Sequence, residues 1–599
     1  MISIIHPSLL MIVGAILLPL LPKVFRSAVF IIASLAGLII LWTLPEGNYL
    51  TLNFLGNNLI LLKVDALSKI FAAIFAIITI MGGVYAYHLK DAVQQTAALF
   101  YSASAIGVTF AGDFITLFVF WELMAAASLV LIWSKKDKAS AKAGMRYLIV
   151  HLFGGSLLLA GIILHISDTG SILVEHLLSK NSVANWFIIA GFGLNAAIPP
   201  LNAWLPDAYP KATVTGAVFL SALTTKTAVY ALARVFAGWE VLLILGTIMT
   251  VYGVIYAVLS NDIRELLSYH IISQVGYMVA GIGIGTMIGV NGSTAHAFSH
   301  ILYKGLLFMG AGVLIHATGR SKLSELGGLA KFLPITLVLY LVGGFSISGV
   351  PLFNGFISKS MVVYAAGDIH NYLAVILMNI AMVGTFLSTT LKLPYLAWFN
   401  PARTPCPPDW RQPVGRGSGG KEKPDAEIKL NPIPINMHIG MGLTAFLCVL
   451  FGVAPSLLYQ YLPYQVSYEP YTGAHLVETA QILLLTFFGF WVFRKKLAAE
   501  PLISLDFDWF YRRPKYFIKR LLVDGVLSVF DKTDKILMKV VNTLIYFGKN
   551  PGNTIAILTL KEPSAKYFDY DPNISRPSTL LIISGILLVF VIIIAVVVI

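Results

Sequence analysis

Apolar runs of about 18 to 25 residues recur from one end of this chain to the other, each long enough to carry a helix through roughly 30 Å of hydrocarbon. Lipid offers no partner for a backbone N–H or C=O, so a chain patterned this way folds into helices that satisfy their own hydrogen bonds. About sixteen such runs can be counted. Charged residues make up only 12% of the 599 positions and hydrophobic ones 57%, far from the roughly 25% charge of a soluble domain. The pattern predicts an all-α polytopic membrane protein. The first run, 2–22, has no small-residue cleavage site after it and leads into a second, which predicts a retained helix and no cleaved signal.

The formal charge of +13 would suit a nucleic-acid partner if it were clustered, but it is distributed by loop. Lys23 and Arg26, Lys90, Lys135, Lys136, Lys138 and Lys142, Lys211, Arg264, Arg320 and Lys322, and Arg494 to Lys496 all follow odd-numbered runs. The even connections are nearly free of Lys and Arg. Such alternation puts the odd loops in the cytoplasm and the N-terminus outside, and leaves no role for nucleic acid. The two cysteines, Cys406 and Cys448, fit no metal or redox spacing, so no cofactor is expected.

The runs group into N-terminal helices over 1–93, a first five-helix set over 94–236 and a second over 237–399. A Pro- and Gly-rich segment, 400–434, reads as a flexible cytoplasmic loop. Further helices follow over 435–499, then a non-spanning segment over 500–577 and a last span over 578–599. Within 515–547, Lys515, Lys519, Asp524, Ser528, Lys532, Lys535, Lys539 and Asn542 recur every three to five positions, opposite an apolar stripe. That pattern predicts an amphipathic helix along the membrane boundary, started at Arg512-Arg513-Pro514 and stopped at Gly548 and Pro551. It serves either as a surface anchor or as a strap across neighbouring helices.

Two runs carry proline in similar settings, Pro199-Pro200-Leu201-Asn202 and Pro351-Leu352-Phe353-Asn354. Each is either an ordinary kink or a broken helix whose freed backbone lines a hydrated cavity, and their pairing favours the second.

Ionisable groups sit deep in the apolar runs: Glu122, Lys226, His296, His300, Lys304 and Lys359, with Lys392 nearer an end. A charge at the bilayer centre costs on the order of 2.5 to 3.5 kcal/mol, so these groups must face one another, water or protein. Glu122 suits a proton relay, or else a salt bridge inside a helix bundle. Lys226 is too central to snorkel easily and either exchanges protons or holds a carboxylate. His296, His300 and Lys304, four apart, share one helix face. A metal would want further ligands where that face offers a lysine, so the stripe suits protons. Lys392 is near enough to the cytoplasmic end to snorkel.

Together, Phe120-Trp121-Glu122, the segment Pro200 to Ala208, Asn261-Asp262-Ile263-Arg264, Ser273 to Tyr277, the His296 to Lys304 stripe and Gly349 to Lys359 resemble the antiporter-like subunits of respiratory complex I and of Mrp-type cation/proton antiporters. The resemblance runs nearly end to end. It implies fourteen core helices, two inverted five-helix repeats with a broken helix in each, and a central hydrophilic axis for protons. It also implies a C-terminal lateral helix and anchor, shorter here than in the distal complex I subunit. The family usually has a lysine facing the glutamate, and this chain has Asn195 at that position. Either Lys226 becomes the partner of Glu122, or the first half-channel works differently or not at all.

The expectation is a subunit that moves protons, or exchanges them for a cation such as sodium, along the buried Glu, Lys and His residues. It would have no redox or hydrolytic site of its own. Its partners would be other integral membrane subunits and a possible redox module, in an energy-conserving bacterial or archaeal membrane with the lateral helix on the cytoplasmic side. The alternatives are a quinone- or haem-binding redox subunit and a scaffold with an inactive half-channel.

Overall fold

The computed structural model describes residues 4–54, 56–400, 405–406, 428–494, 506, 509, 517, 519–549, 555, 559 and 583–590. It divides into two units, Met1–Asp508 and Trp509–Ile599. In the first, α1 (Pro7–Leu17) and α2 (Lys23–Thr43) lead to an antiparallel hairpin of β1 (Gly47–Phe54) and β2 (Asn57–Val64). There follow α3 (Ala66–Tyr85), α4 (Ala92–Phe110), α5 (Phe114–Trp133), α6 (Lys138–Thr169), α7 (Val183–Asn195), α8 (Trp204–Ala208), α9 (Val214–Ala222) and α10 (Thr224–Val235). The chain continues through α11 (Glu240–Leu259), α12 (Ile263–Ile284), α13 (Met287–Thr318), α14 (Pro334–Ser348), α15 (Asn354–Asp368) and α16 (Tyr372–Thr385). After the loop come α17 (Ile435–Val453), α18 (Ser456–Tyr459) and α19 (Gly473–Phe493). The second unit contains α20 (Gly525–Lys549), entered through a π-helical turn at Lys519–Asp524.

Among the described residues, eleven helices are long and apolar enough to cross a membrane, and three shorter apolar ones accompany them. This is a multi-pass membrane protein, although the expected count of sixteen is not reached. One reason is that several runs are interrupted: 183–204 is split between α7 and α8, and 333–365 between α14 and α15. Pro199 and Pro200, joined by a cis peptide, lie in the first gap and Pro351 in the second. Leu352 and Gly349 have φ of 73° and 72° there, so the chain turns out of the helix. The last expected span is described only at 583–590, which is helical. In the lateral segment the expected start and Pro551 lie outside the described residues, while α20 is helical with Val526, Phe530, Leu537, Val541 and Leu544 exposed.

The hairpin corrects the all-helical expectation. Leu59, Leu62 and Val64 of β2 are buried and Gly56, φ 78°, makes the turn. These strands hold one face of the helix array: Asp113 accepts from the Ile60 amide at 2.8 Å, and the Gly112 amide donates to Ile60 O at 2.9 Å. Asp65, just after β2, caps α3 and forms a forked ion pair with Arg234 of α10, one arm 2.8 Å. Although burial opposes ionisation, the Arg234 guanidinium holds the Asp65 carboxyl below its ordinary range. Within the expected flexible loop, 405–406 pairs with 428–429 in a short parallel contact, which corrects that expectation locally.

Aspartates start many of the long helices by accepting first-turn amides: Asp65, Asp91, Asp113, Asp137 and Asp262. The caps also expose an internal correspondence. α6 and α13 are both 32 residues long and both end on a left-handed glycine, Gly170 and Gly319. Beyond each end the chain forms an isolated β-bridge to the aspartate that caps the preceding long helix, Leu173 with Asp113 and Lys322 with Asp262. One shift of 149 positions carries the first bridge onto the second, 113 to 262 and 173 to 322.

α11 and α12 pack backbone to backbone, as small residues permit in membranes. A Cβ on Gly253 would meet the Ser273 amide nitrogen at 2.4 Å, and one on Gly276 would meet Gly246 O at 2.6 Å. These contacts are main chain and cannot rotate away. Gly253→Val is expected to force the helices apart at a cost of about 1–3 kcal/mol, read as a lowered thermal midpoint of the detergent-solubilised protein.

Candidate functional site

Three of the expected lysines bind main-chain carbonyls at the ends of helices. The run 214–236, expected as one span, is interrupted at Leu223, and Lys226 on the first turn of α10 donates to Ser221 O at 2.5 Å. Lys359 on α15 reaches across the second break to Ile347 O of α14 at 2.6 Å. Lys392 donates to Val258 O in the last turn of α11, also at 2.6 Å. The final carbonyls of a helix have no intrahelical partner and form the negative end of its dipole. Each ammonium thus sits where a helix end supplies both an acceptor and favourable potential.

This corrects one expectation. Lys392 does not snorkel: it is 5% exposed and turned inward, at the end of a π-helical stretch, Phe386–Lys392, that continues α16.

The α13 stripe lies wholly inside, with His296, His300 and Lys304 all fully buried. His296 Nδ1 is 3.1 Å from Ser358 Oγ, next to Lys359, and its Nε2 is 3.4 Å from Tyr303 Oη, which donates to Gln274 at 3.3 Å. Neither ring nitrogen of His300 nor Lys304 Nζ has a hydrogen-bond partner among the described residues. The Lys359 ammonium lies 5.1 Å from the centre of the Tyr277 ring, a cation–π placement.

Lys226, His296, His300, Lys304 and Lys359 lie within electrostatic reach of one another across α10, α13 and α15. The sequence reasoning missed a sixth buried base. His270 of α12 is fully buried, 2.6 Å from Ser388 Oγ, and within reach of Lys304 and Lys359. Its signal was available, since it stands mid-helix in an apolar run three residues before the Ser273 motif.

Glu122 stands apart from this group. It is half-buried on α5, its Oε1 has no partner among the described residues, and it lies over Gly155 of α6, where a Cβ would be 2.1 Å from that oxygen. Lys226 does not become its ion-pair partner, being held by Ser221 O with its charged neighbours on α13. Asn195, at the end of α7 and 1% exposed, is beside His151 of α6.

Beside the first turn of α10 lies a group of buried hydroxyls. Tyr101 Oη is 2.5 Å from Thr224 Oγ1, two residues before Lys226, and Tyr147 Oη is 2.8 Å from Ser128 Oγ. Tyr147 and Tyr209 also approach Thr224.

At the other end of the array a cavity of about 820 Å³ reaches Lys359. Asp368, His370, Glu469, His475 and Glu478 line it. Among the described residues no three His, Cys, Asp or Glu side chains gather as a metal site.

Residues 111–388, which contain Glu122, His151, Lys226, His270, His296, His300, Lys304 and Lys359 but not Tyr101 or Lys392, match the family model described as NADH:quinone oxidoreductase/Mrp antiporter, TM. The chain is 29% identical over 395 residues to an uncharacterized protein of Methanocaldococcus jannaschii, spanning 62% of this chain and 77% of that one. It is 33% identical over 295 residues to an Na(+)/H(+) antiporter subunit of Alkalihalophilus pseudofirmus, covering 46% of this chain and 59% of that protein. Its fold matches a chain of the Mrp complex from Dietzia sp. with a TM-score of 0.66 at 21% identity, over 82% of this chain and 99% of that one.

Because the lysines complete helix ends, removing one has a structural consequence separate from any transport. Lys226→Met is expected to leave Ser221 O unsatisfied in the core and to cost about 1–3 kcal/mol, measured as earlier thermal unfolding in detergent.

Proposed function

We propose that this chain is a proton-translocating membrane subunit of a multi-subunit complex, in which Glu122, Lys226, His296, His300, Lys304, Lys359 and Lys392 carry protons in turn. The observation that carries this reading is the group of buried bases within electrostatic reach of one another, with no carboxylate paired to Lys226, Lys304 or Lys359 among the described residues. Such a group does not hold all its protons at once. Protonating one member raises the cost of protonating the next.

At about 4 Å and an effective dielectric near 20, one unit charge acting on another is worth roughly 4 kcal/mol. A membrane potential contributes about 2.3 kcal/mol per charge per 100 mV, a comparable quantity. A charge arriving at one end of the array therefore has enough energy to discharge its neighbour, and the neighbour the next. The helix breaks supply the local dipoles that hold each ammonium between transfers.

Residues 94–236 and 237–399 read as two repeats of one unit, supported by the matched lengths, caps and β-bridges of α6 and α13. With odd loops cytoplasmic, the cavity at Lys359 opens on the outer side and acts as the outer half-channel. The N-terminus is then outside and α20 on the cytoplasmic side. The partners are other membrane subunits, in an antiporter or oxidoreductase complex, and the matched family and the antiporter relative support both settings. Sodium as a counter-ion belongs to the same reading.

Lys304→Ala and Lys359→Ala in the assembled complex are each expected to slow proton movement into vesicles by about a hundredfold or more while the complex still assembles. Unchanged movement with intact assembly would instead identify a scaffold subunit, and a haem absorbance band in the purified chain would identify a redox one.

A further inference from the structure

Where the family resemblance places a lysine, this chain has Asn195, and Lys226 is committed elsewhere. Glu122 is left without an evident base. The correspondence between the two halves identifies one. The shift of 149 positions that superposes the two β-bridges carries Tyr147, His151 and Gly155 of α6 onto His296, His300 and Lys304 of α13. His151 is therefore the counterpart of His300, and Gly155 the counterpart of Lys304.

The surroundings of His151 fit a working group. It is 3% exposed, and neither ring nitrogen completes a hydrogen bond by distance and angle among the described residues, although the Asn195 side chain lies close enough to offer one. Native cores seldom leave a buried polar group unpaired without a functional reason. The ring also packs between aromatics, 4.0 Å from the Tyr147 ring and 4.7 Å from the Trp204 ring between centres. Trp204 is itself fixed, its indole donating to Leu194 O at 3.1 Å.

Glu122 lies over Gly155, four residues or about 6 Å along α6 from His151 and on the same face. In the second half Lys304 fills the equivalent place. Here a glycine leaves the space that the carboxylate occupies.

The other elements on α6 offer no rival base. α5 carries Glu122 as its only titratable side chain and α7 carries none. From α8, Asp207 is engaged in a forked ion pair with Arg146, at 2.6 and 2.7 Å. The short turn after it, Tyr209–Lys211, contributes the Tyr209 hydroxyl and Lys211, whose charge acts on Glu265. On α6 itself the adjacent group is Tyr147.

We propose that His151 is the proton carrier of the first half of the chain, exchanging protons with Glu122 in the role that the antiporter-like family gives to a lysine. The inference rests on the transport reading above. A proton on the Glu122 carboxyl passes along the α6 face to an imidazole nitrogen one turn away, leaving a carboxylate over Gly155 and an imidazolium at His151. The imidazolium then releases a proton along the hydroxyls of Tyr147, Tyr209 and Thr224 to the neutral Lys226 amine, and the imidazole is restored.

The test uses the assembled complex in proteoliposomes with an imposed membrane potential and a trapped pH-sensitive dye. His151→Gln is expected to lower proton flux by about a hundredfold or more, and Asn195→Lys added to it is expected to restore flux by supplying the family's base. Undiminished flux in His151→Gln overturns the inference. Lys304→Ala, measured in parallel, separates the two levels: if it too leaves flux intact, the transport reading itself fails. Should His151→Gln not assemble, Asn195→Lys alone decides. An ammonium beside the imidazole disfavours its charged form, so the acid limb of the flux–pH profile is expected to move to lower pH, and an unmoved profile overturns the inference.

Discussion

A buried ammonium must be given an acceptor and a negative potential, and this protein supplies both with the cut ends of its helices. Ser221 O, Ile347 O and Val258 O each belong to the last turn of a helix, and each receives a lysine. The dependence runs both ways. Without the lysines, these orphan carbonyls would be buried unpaired, which lipid and protein interiors both penalise. Without the interruptions, the lysines would face helices whose carbonyls are already bonded. For Lys226, Lys359 and Lys392, helix end and buried charge are therefore one feature, and the position of each end sets the position of its lysine.

That coupling explains why the most enclosed helices are also the most polar. α10, α12 and α13 carry Lys226, His270, His296, His300 and Lys304 on surfaces that never meet lipid. Helices nearer the outside, such as α2 and α19, expose large apolar side chains instead. Close glycine contacts between α11 and α12 bring these two helices backbone to backbone beside that interior.

The two halves share a scaffold but divide the charge between them. α6 and α13 have the same length, the same left-handed glycine at the end and the same bridge to a capping aspartate. On α13 the shared face is filled by two imidazoles and an ammonium. On α6 it carries a phenol, an imidazole and a glycine that admits a carboxylate from α5.

The order of residues alone was enough for the membrane class, the helix runs, the two proline breaks and the buried lysines and histidines of α13, because lipid forces long apolar runs and makes each charge within them conspicuous. It also held a hint of the hairpin, in the glycine turn at Gly56 before the short apolar run 59–62, though short strands among long helices are easily passed over. Which groups meet is a matter of packing in three dimensions. Lys226 turns to α13 and not to Glu122, and Lys392 turns inward to α11, because a four-carbon side chain has several carbonyls in range and only packing selects one. The sequence reading singled out neither His151 nor His270. Their importance rests on unsatisfied nitrogens or charged neighbours that come from helices distant along the chain, and pairings across such separations are fixed by how the bundle closes.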